Sequence, residues 1–230
     1  MGFEVDTRDC SILSDSEFEA MAELVGGRAG LFDIGFLSKQ RDEWVLVCTV
    51  KEGSKLRAYS FFTLERIGGT PAVLIGVADS DGTGKSAKAV DLLLAEHFRK
   101  AVLAFPDEDV LVCGMAISPA VYSVFGGLND VVPRPGYKPT GEERAWARRI
   151  ARRFSADGQI DDRNFVLNCG GRSTTGVLNL GKSRTGEEPD REIMSLFGGI
   201  DHASGDRIVV CGWAMAEDLA SGALLKRPGG

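Results

Sequence analysis

The stretch ADSDGTGKSAKAV, Ala78 to Val90, decides how the rest of the chain is interpreted. It holds two glycines, then Lys85 and Ser86, and then a pattern typical of a helix. Backbone N–H groups of such a loop and of the first helical turn favour a bound anion. The stretch therefore predicts a strand, a phosphate-binding loop and a helix, and two kinds of loop fit it in part.

The segments before this loop predict antiparallel strands. Three strand-like runs follow one another closely, and their linkers, KEGSK and GGT, have hairpin lengths. Linkers this short leave no room for a helical crossover, so the sheet begins as an antiparallel meander. The three runs are Trp44–Val50, Leu56–Ile67 and Pro71–Val77.

The segments after the loop predict a crossover to a parallel strand. Apolar residues recur at helical spacing from Ser86 to Phe105, where Pro106 stops the helix. The next run, Asp109–Ile117, is almost wholly apolar, which is typical of a strand buried on both faces. Because a helix leads to it, this strand is expected to lie parallel to the one that ends at Val77. Another helix is predicted from Ala120 to Leu128.

One interpretation of the loop is the P-loop, GxxxxGK[ST]. Gly84, Lys85 and Ser86 match its end, but Asp79 stands where its first glycine belongs. The buried strand also ends in Ile117 rather than in a metal-binding acid. Three antiparallel strands before the loop do not suit an open parallel sheet. A P-loop-type nucleotide-binding protein is therefore the second alternative.

Another interpretation accounts for more of the chain. The order of helix, antiparallel meander, glycine-containing loop, helix, parallel strand and helix resembles the Gcn5-related N-acetyltransferase (GNAT) fold. That family carries the loop pattern [QR]-x-x-G-x-[GA], whose glycines match Gly82 and Gly84, while Asp79 replaces its basic residue. SPAVYSVFGGL, Ser118 to Leu128, is similar to the family's segment from strand five to helix four. The resemblance covers roughly residues 10–135.

The resemblance implies an α/β (α+β) fold with a mixed sheet, an antiparallel N-terminal meander, flanking helices and a C-terminal extension. It also implies acetyl-coenzyme A (acetyl-CoA) as the cofactor and acetyl transfer to an amine of unknown identity. In that family the loop amides and the helix N-terminus hold the pyrophosphate. The cofactor-binding residues implied here are Val77, Asp79, Gly82, Thr83, Gly84, Lys85 and Ser86.

The implied reaction needs few groups. The attacking amine must lose a proton, the leaving thiolate gains from a donor, and N–H groups of a splayed strand polarise the thioester carbonyl. Glu65, near the end of the second meander strand, and Asp79 are the candidate acids. Tyr122 is the candidate proton donor, close to Phe125, which takes the family's tyrosine position. A solvated strand-end acid, a turn cap and a packing tyrosine are their structural alternatives.

The departures from the family pattern leave two hypotheses open. The acid at position 79 and the displaced tyrosine suit a GNAT-like protein that binds coenzyme A poorly or not at all. The chain is then either a divergent acetyltransferase or a non-enzymatic interaction or regulatory protein. The two differ in whether the amides after Val77 face an open cleft.

The amino-acid composition limits the classes of partner and site that remain for this protein. With 27 basic and 33 acidic residues, the net charge of −6 gives no support for nucleic-acid binding. No apolar run is long enough to span a bilayer, so a membrane partner is not expected. Five widely spaced cysteines and two histidines predict free thiols and no common Cys/His zinc site. The expected location is the cytoplasm.

One segment, ERAWARRIARRF, is strongly basic. A capping box from Thr140 to Glu143 predicts a helix with an apolar face that holds Trp146, and with five arginines opposite, from Arg144 to Arg153. Either these arginines pair within the chain, or they form a docking face for a phosphate, a nucleic acid or an acidic protein.

The turn-rich segment VVPRPGYKP predicts a boundary near residue 138. Residues 1–138 then form the GNAT-like domain, and residues 139–230 hold the arginine-rich helix and a small α/β extension or second lobe. This second part is expected to add strands to the first sheet, to form a small lobe, or to make an oligomer interface, so a homo-oligomer stays open. Its strand candidates are Asn164–Asn168, Gly176–Leu180 and Arg207–Cys211.

Overall fold

The computed structural model describes residues 2–24, 32–156, 159–171, 175–180 and 188–225. Within these ranges, ten strands form one sheet. In chain order they are β1 (Phe3–Asp9), β2 (Leu46–Glu52), β3 (Lys55–Ile67), β4 (Thr70–Ser80), β5 (Val110–Ala116), β6 (Asn129–Val132), β7 (Ile160–Asp161), β8 (Val166–Leu167), β9 (Val177–Asn179) and β10 (Arg207–Ala214). Across the sheet the order is β1-β2-β3-β4-β9-β5-β10-β8-β7, and β6 also pairs with β10.

Helices flank this sheet. They are α1 (Asp15–Glu23), α2 (Ile34–Glu43), α3 (Ser86–Ala104), α4 (Pro119–Tyr122), α5 (Gly141–Arg153), α6 (Arg191–Leu196) and α7 (Ala216–Ser221). The capping box predicted at the start of α5 is present, since the Glu143 N–H donates to the Thr140 hydroxyl at 3.2 Å. In the part of the chain that the structure describes, no helix has the length and apolar character needed to cross a membrane.

The strands β2, β3 and β4 form the predicted antiparallel meander. Gly53 turns the first linker, and Gly68 and Gly69 turn the second, all at positive φ. Glycine adopts this conformation without a steric penalty. β4 is longer than predicted and continues through Ser80. Asp79 is therefore a strand residue and not the first residue of the loop.

The predicted crossover is confirmed. α3 leads from β4 to β5, and the two strands are parallel, with Leu74 opposite Cys113. All seven residues of β5 are buried, as its apolar run indicates. β10 pairs antiparallel with β5. The fold is thus the predicted mixed α/β one, with an antiparallel meander and flanking helices.

Two long helices cover opposite faces of the sheet. His97 of α3 packs against Phe62 of β3, with ring centroids 4.3 Å apart. Trp146 of α5 packs against Trp213 of β10, with centroids 6.4 Å apart. Side chains of residues that pair across neighbouring strands lie on the same face of the sheet, and successive side chains along one strand point to alternate faces. Followed through the pairing of β3, β4, β5 and β10, this places Phe62 and Trp213 on opposite faces. The core therefore has two layers, one under α3 and one under α5.

Three elements differ from the expectations. β1 has no counterpart among the predicted strands, because four of its seven residues are charged, although Phe3, Val5 and Thr7 alternate with them as in a half-buried strand. The residues of α2 show no clear apolar period and predict no helix. α4 ends at Tyr122 and not at Leu128, because a 3-10 turn over Ser123–Phe125 follows it.

The C-terminal part adds strands to the first sheet, which is one of the three arrangements that the sequence leaves open. β10 pairs with β5, β6 and β8, and β9 lies between β4 and β5. Residues on both sides of the predicted boundary near 138 thus contribute to one sheet. The two predicted ranges do not correspond to two separate sheets.

A buried histidine connects α3 to β3. His97 is 1% exposed, and its Nε2 lies 2.7 Å from the Ser60 hydroxyl oxygen. Burial lowers the pKa of His97 from 6.5 to about 3. The imidazole is therefore neutral in the folded protein at neutral pH.

We predict that His97 makes the protein less stable as the pH falls. Below pH 6.5 the unfolded chain protonates this histidine before the folded protein does, so folded-state stability declines until about pH 3. Between pH 7 and pH 5 the free energy of unfolding should fall by about 2 kcal/mol more in the wild type than in His97→Gln. Urea unfolding of both proteins at the two pH values measures this difference. Equal pH dependence would contradict the prediction.

Candidate functional site

The predicted loop lies between β4 and α3. A carboxylate of the loop itself, that of Asp81, takes the place of an external anion. The Asp81 carboxylate accepts hydrogen bonds from the Thr83 N–H at 3.1 Å, the Thr83 hydroxyl at 2.8 Å and the Ser86 hydroxyl at 2.9 Å. Gly82, at a φ of 65°, makes the turn that brings these groups together. The carboxylate thus lies at the N-terminus of α3, where a phosphate is expected.

Basic side chains neutralise this carboxylate from within the chain. Arg57 of β3 donates to Asp81 at 2.7 Å and to Glu52 at 2.6 Å. Lys85 also forms an ion pair with Glu52. Burial raises the pKa of Asp81, but Arg57 and the hydrogen bonds from Thr83 outweigh it and hold that pKa below its usual 3.8. The loop is therefore part of a closed network of two acids and two bases.

Most backbone donors of the loop have partners in this network. The Asp81 N–H donates to the Arg57 carbonyl at 2.9 Å, and the Ser86 N–H donates to the Thr83 carbonyl at 3.1 Å. The Lys85 N–H donates to the Thr83 hydroxyl at 3.3 Å. Of the described loop residues, only the two glycines leave their N–H groups without a hydrogen bond. A pyrophosphate would find these two loop donors, together with N–H groups of the first turn of α3, beside a fixed carboxylate.

The space beside the second half of β4 is filled by the chain itself. β4 and β5 pair directly over four residues and then splay apart. β9 lies in the gap, parallel to β4, with Val177 opposite Val77 and Asn179 opposite Asp79. It also reaches Ala116 of β5. The splayed edge of β4 therefore pairs with another strand and does not line an open cleft.

Close packing holds β9 in this gap. A Cβ atom at Gly176, just before β9, would lie 2.1 Å from the Phe154 ring, and one at Gly76 of β4 would lie 2.1 Å from the Trp44 ring. The two rings pack on each other, with centroids 5.2 Å apart. The Trp44 indole N–H donates to the Thr175 carbonyl at 3.2 Å. The position of β9 is thus specified by glycines and aromatic rings that fit each other.

Asp79 joins β4 to β9 and does not enter the loop. Its side chain is fully buried and accepts from the Ser80 N–H at 2.7 Å. The Asn179 side-chain amide lies 3.4 Å from the same oxygen. Val77 is also buried between neighbouring strands. The two strand residues of the predicted cofactor set are therefore separated from solvent.

Glu65 lies far from the loop. It pairs with Ala72 of β4, seven residues before Asp79, which is about 23 Å along a strand that rises about 3.3 Å per residue. Its carboxylate accepts from Arg153 of α5 at 2.8 Å. The structure thus places this candidate acid in an ion pair that fastens the end of α5 to the sheet.

Tyr122 lies nearer the loop, after the end of β5. Its hydroxyl donates to the Pro133 carbonyl at 2.6 Å, and burial raises the pKa of Tyr122 to about 12. Phe125, at the family's tyrosine position, is fully buried. The structure does not bring Glu65, Tyr122 and the loop residues together around one open point.

Three arginines of α5 have partners within the chain. Arg148 pairs with Asp162, and Arg153 pairs with Glu65. The Arg149 guanidinium lies 4.9 Å from the centre of the Trp146 ring. The sequence leaves two interpretations of this helix open. For these three arginines, the interpretation in which they pair within the chain applies.

Two features of the site were not predicted from the sequence. The run Gly176–Leu180 predicts a strand, but nothing local in it indicates that it pairs in the centre of the sheet. The role of Asp81 as acceptor within the loop has a local signal, because Asp-Gly-Thr with Ser86 four residues after Gly82 is typical of a carboxylate that accepts from nearby N–H and hydroxyl groups.

Solved structures similar to this chain include two N-acetyltransferases. The ribosomal-protein-S18-alanine N-acetyltransferase from Escherichia coli is 12% identical, with a TM-score of 0.38, and the match covers 60% of this chain and 86% of that one. An acetyltransferase of the GNAT family from Streptococcus pneumoniae is 12% identical, with a TM-score of 0.35, over 58% and 91% of the two chains. A point mutant of a protein from Thermus thermophilus is 17% identical, with a TM-score of 0.32, over 49% and 75%.

No protein-family model matches the chain, and no curated protein matches it. Identities this low concern the fold alone. The predicted mixed α/β fold rests on the strand pairing of this chain itself, because the TM-scores of these matches all lie below 0.5.

We predict that Asp81→Asn destabilises the protein. The substitution removes the charge that Arg57 faces and weakens the acceptor for Thr83 and Ser86, which should lower the free energy of unfolding by about 1–3 kcal/mol. Asp42→Asn, at an exposed position of α2, is the charge-matched control and should change stability by less than about 0.5 kcal/mol. Chemical denaturation compares the three proteins. Similar effects of both substitutions would contradict the internal-anion role.

A substitution at Gly176 tests the packing that holds β9. Gly176→Ala forces a methyl group into the Phe154 ring and should cost about 1–3 kcal/mol of stability. Gly84→Ala is the control, because no atom lies within 4 Å of a Cβ at this loop glycine. Its expected effect is below about 0.5 kcal/mol. Urea unfolding that finds Gly176→Ala as stable as Gly84→Ala would refute the fit described above.

Proposed function

We propose that this chain is a non-enzymatic GNAT-like protein, which uses the fold for interaction or regulation and not for acetyl transfer. The observation that carries the proposal is the position of β9. It pairs with Val77 and Asp79 along the edge of β4 that an acyl donor would need. Acetyl transfer to an amine is the competing function, and its acceptor is not identified.

Acetyl-CoA does not fit the residues that the sequence assigned to it. A pyrophosphate at the loop would meet the Asp81 carboxylate, which already accepts from Thr83 and Ser86. Lys85, the cation of the loop, is paired with Glu52. A thioester carbonyl would need N–H groups of the splayed strand, and β9 lies against that edge.

The two candidate catalytic residues have structural roles in this proposal. Glu65 holds Arg153 of α5, and Tyr122 holds the Pro133 carbonyl. The negative net charge gives no support for a nucleic-acid partner. The proposed partner is therefore a protein or a small molecule. All five cysteines are buried free thiols, which suits the cytoplasm as the proposed location.

Titration with acetyl-CoA tests the proposal. Isothermal calorimetry of the full chain with acetyl-CoA up to 1 mM should give no binding heat, and the melting temperature should stay unchanged because the ligand has no site. Release of free coenzyme A in the presence of lysine, spermidine or a peptide with a free N-terminus should equal the rate without protein.

A saturable heat with a dissociation constant below 1 mM, or turnover with any of these amines, would overturn the proposal. The variants Glu65→Gln and Tyr122→Phe then become informative. If acetyl transfer occurs and either variant abolishes it while keeping its melting temperature, the corresponding residue acts in the reaction.

A further inference from the structure

A basic recess lies beside the start of α5, away from the loop after β4. Its volume is about 350 Å³, and the described residues that line it are Lys138, Pro139, Arg144 and Arg163. They come from three places: the segment before α5, the first turns of α5, and the turn between β7 and β8. Three positive charges thus meet at one cavity in a protein whose net charge is −6.

The cations of this recess have no ion-pair or hydrogen-bond partner among the residues that the structure describes. Among the hydrogen bonds and ion pairs of the described residues, none involves the side chain of Lys138, Arg144 or Arg163. The Nε atom of Arg144 is buried without an acceptor. Leaving a buried N–H group without a partner costs free energy. Arg144 differs in this respect from Arg148 and Arg153 on the same helix, which have carboxylate partners.

Nearby carboxylates are committed to other groups. Asp161 accepts from the Arg163 backbone N–H at 3.0 Å. Asp162 pairs with Arg148. Glu143 accepts from the Thr140 N–H at 2.6 Å and the Tyr137 hydroxyl at 3.1 Å. No described acid lines the recess, so its charge is open to an external anion.

A second recess adjoins the first. Its volume is about 450 Å³, and it shares Pro139 and Arg163 with the basic one. Tyr137, Asn164 and Leu196 also line it, together with Arg134 and Asp161, so it offers an apolar surface, amide hydrogen bonds and two further charges of opposite sign. Volumes of this size are typical of sites for small organic ligands. One ligand can therefore place an anionic group in the first recess and an uncharged body in the second.

We propose that these two recesses form a binding site for a small phosphomonoester. The terminal phosphate carries nearly two negative charges and three acceptor oxygens, which match the three cations. Arginine guanidinium groups bind phosphate oxygens through paired N–H donors, and lysine adds a point charge. The body of the ligand lies against Tyr137, Asn164 and Leu196. This inference does not depend on the role proposed for β9.

Binding of defined phosphomonoesters to the full chain tests the site. The probes are glycerol 3-phosphate, ribose 5-phosphate and adenosine 5′-monophosphate, each compared with its dephosphorylated counterpart and with inorganic phosphate, in a buffer free of phosphate. Calorimetry should show at least one of the esters binding about tenfold or more tightly than inorganic phosphate. The dephosphorylated counterparts should not bind.

Substitutions locate that binding. Arg144→Gln and Arg163→Gln should each weaken the ester about tenfold or more, since each removes a charged hydrogen bond. Arg99→Gln is the charge-matched control, because Arg99 is exposed on α3 and pairs with Glu96; it should leave the affinity unchanged. Without ligand, Arg144→Gln should melt no lower than the wild type, because the guanidinium makes no hydrogen bond that folding depends on.

Three results would overturn the proposal. One is that no ester binds at concentrations up to 10 mM. Another is that inorganic phosphate binds as tightly as every ester, which would show an unspecific anion site only. The third is that the arginine substitutions at the recess and the control at Arg99 weaken binding equally, which would show an effect of net charge.

Discussion

β4 and β5 diverge inside the protein, and the backbone groups along their facing edges must find hydrogen-bond partners. β4 and β5 are parallel and pair over four residues before they separate. Past that point the backbone groups along their facing edges lie inside the protein, where unpaired N–H and C=O groups are costly. β9 meets this need from a distant part of the chain. The close packing of the glycines and aromatic rings around it and the burial of Asp79 accompany this placement.

At the loop before α3, a carboxylate of the chain itself occupies the place where an external anion would bind. The N-terminus of α3 favours negative charge, and Asp81 supplies it from within the chain with four hydrogen-bonding and charged contacts. The loop and the edge of β4 beside the splayed strands thus both have internal occupants, Asp81 and β9. The basic recess beside α5 shows the opposite situation, because within the described ranges no acid pairs with its cations.

The sequence predicts what is local. Hairpin-length linkers identify the meander, an apolar run identifies β5, and Thr140 with Glu143 identifies the start of α5, because each depends on neighbours along the chain. The positions of Glu65 and Tyr122 relative to the loop depend on strand register and on contacts with Arg153 and Pro133, which no local pattern encodes. The place of β9 depends on a pairing between residues a hundred positions apart, and α2 depends on packing that overrides a weak period.

The long sequence separation between β4 and β9 means that the centre of the sheet can form only late in folding. Val77 and Val177 are neighbours in the folded protein, so the loop between them is closed only after most of the chain exists. Until then, a nascent or partly folded chain exposes two unpaired strand edges in its most apolar region. Long-range pairing of this kind slows folding, and open strand edges promote association between chains. The pairing of β9 between β4 and β5 therefore closes, late in synthesis, strand edges at which copies of the chain would otherwise associate.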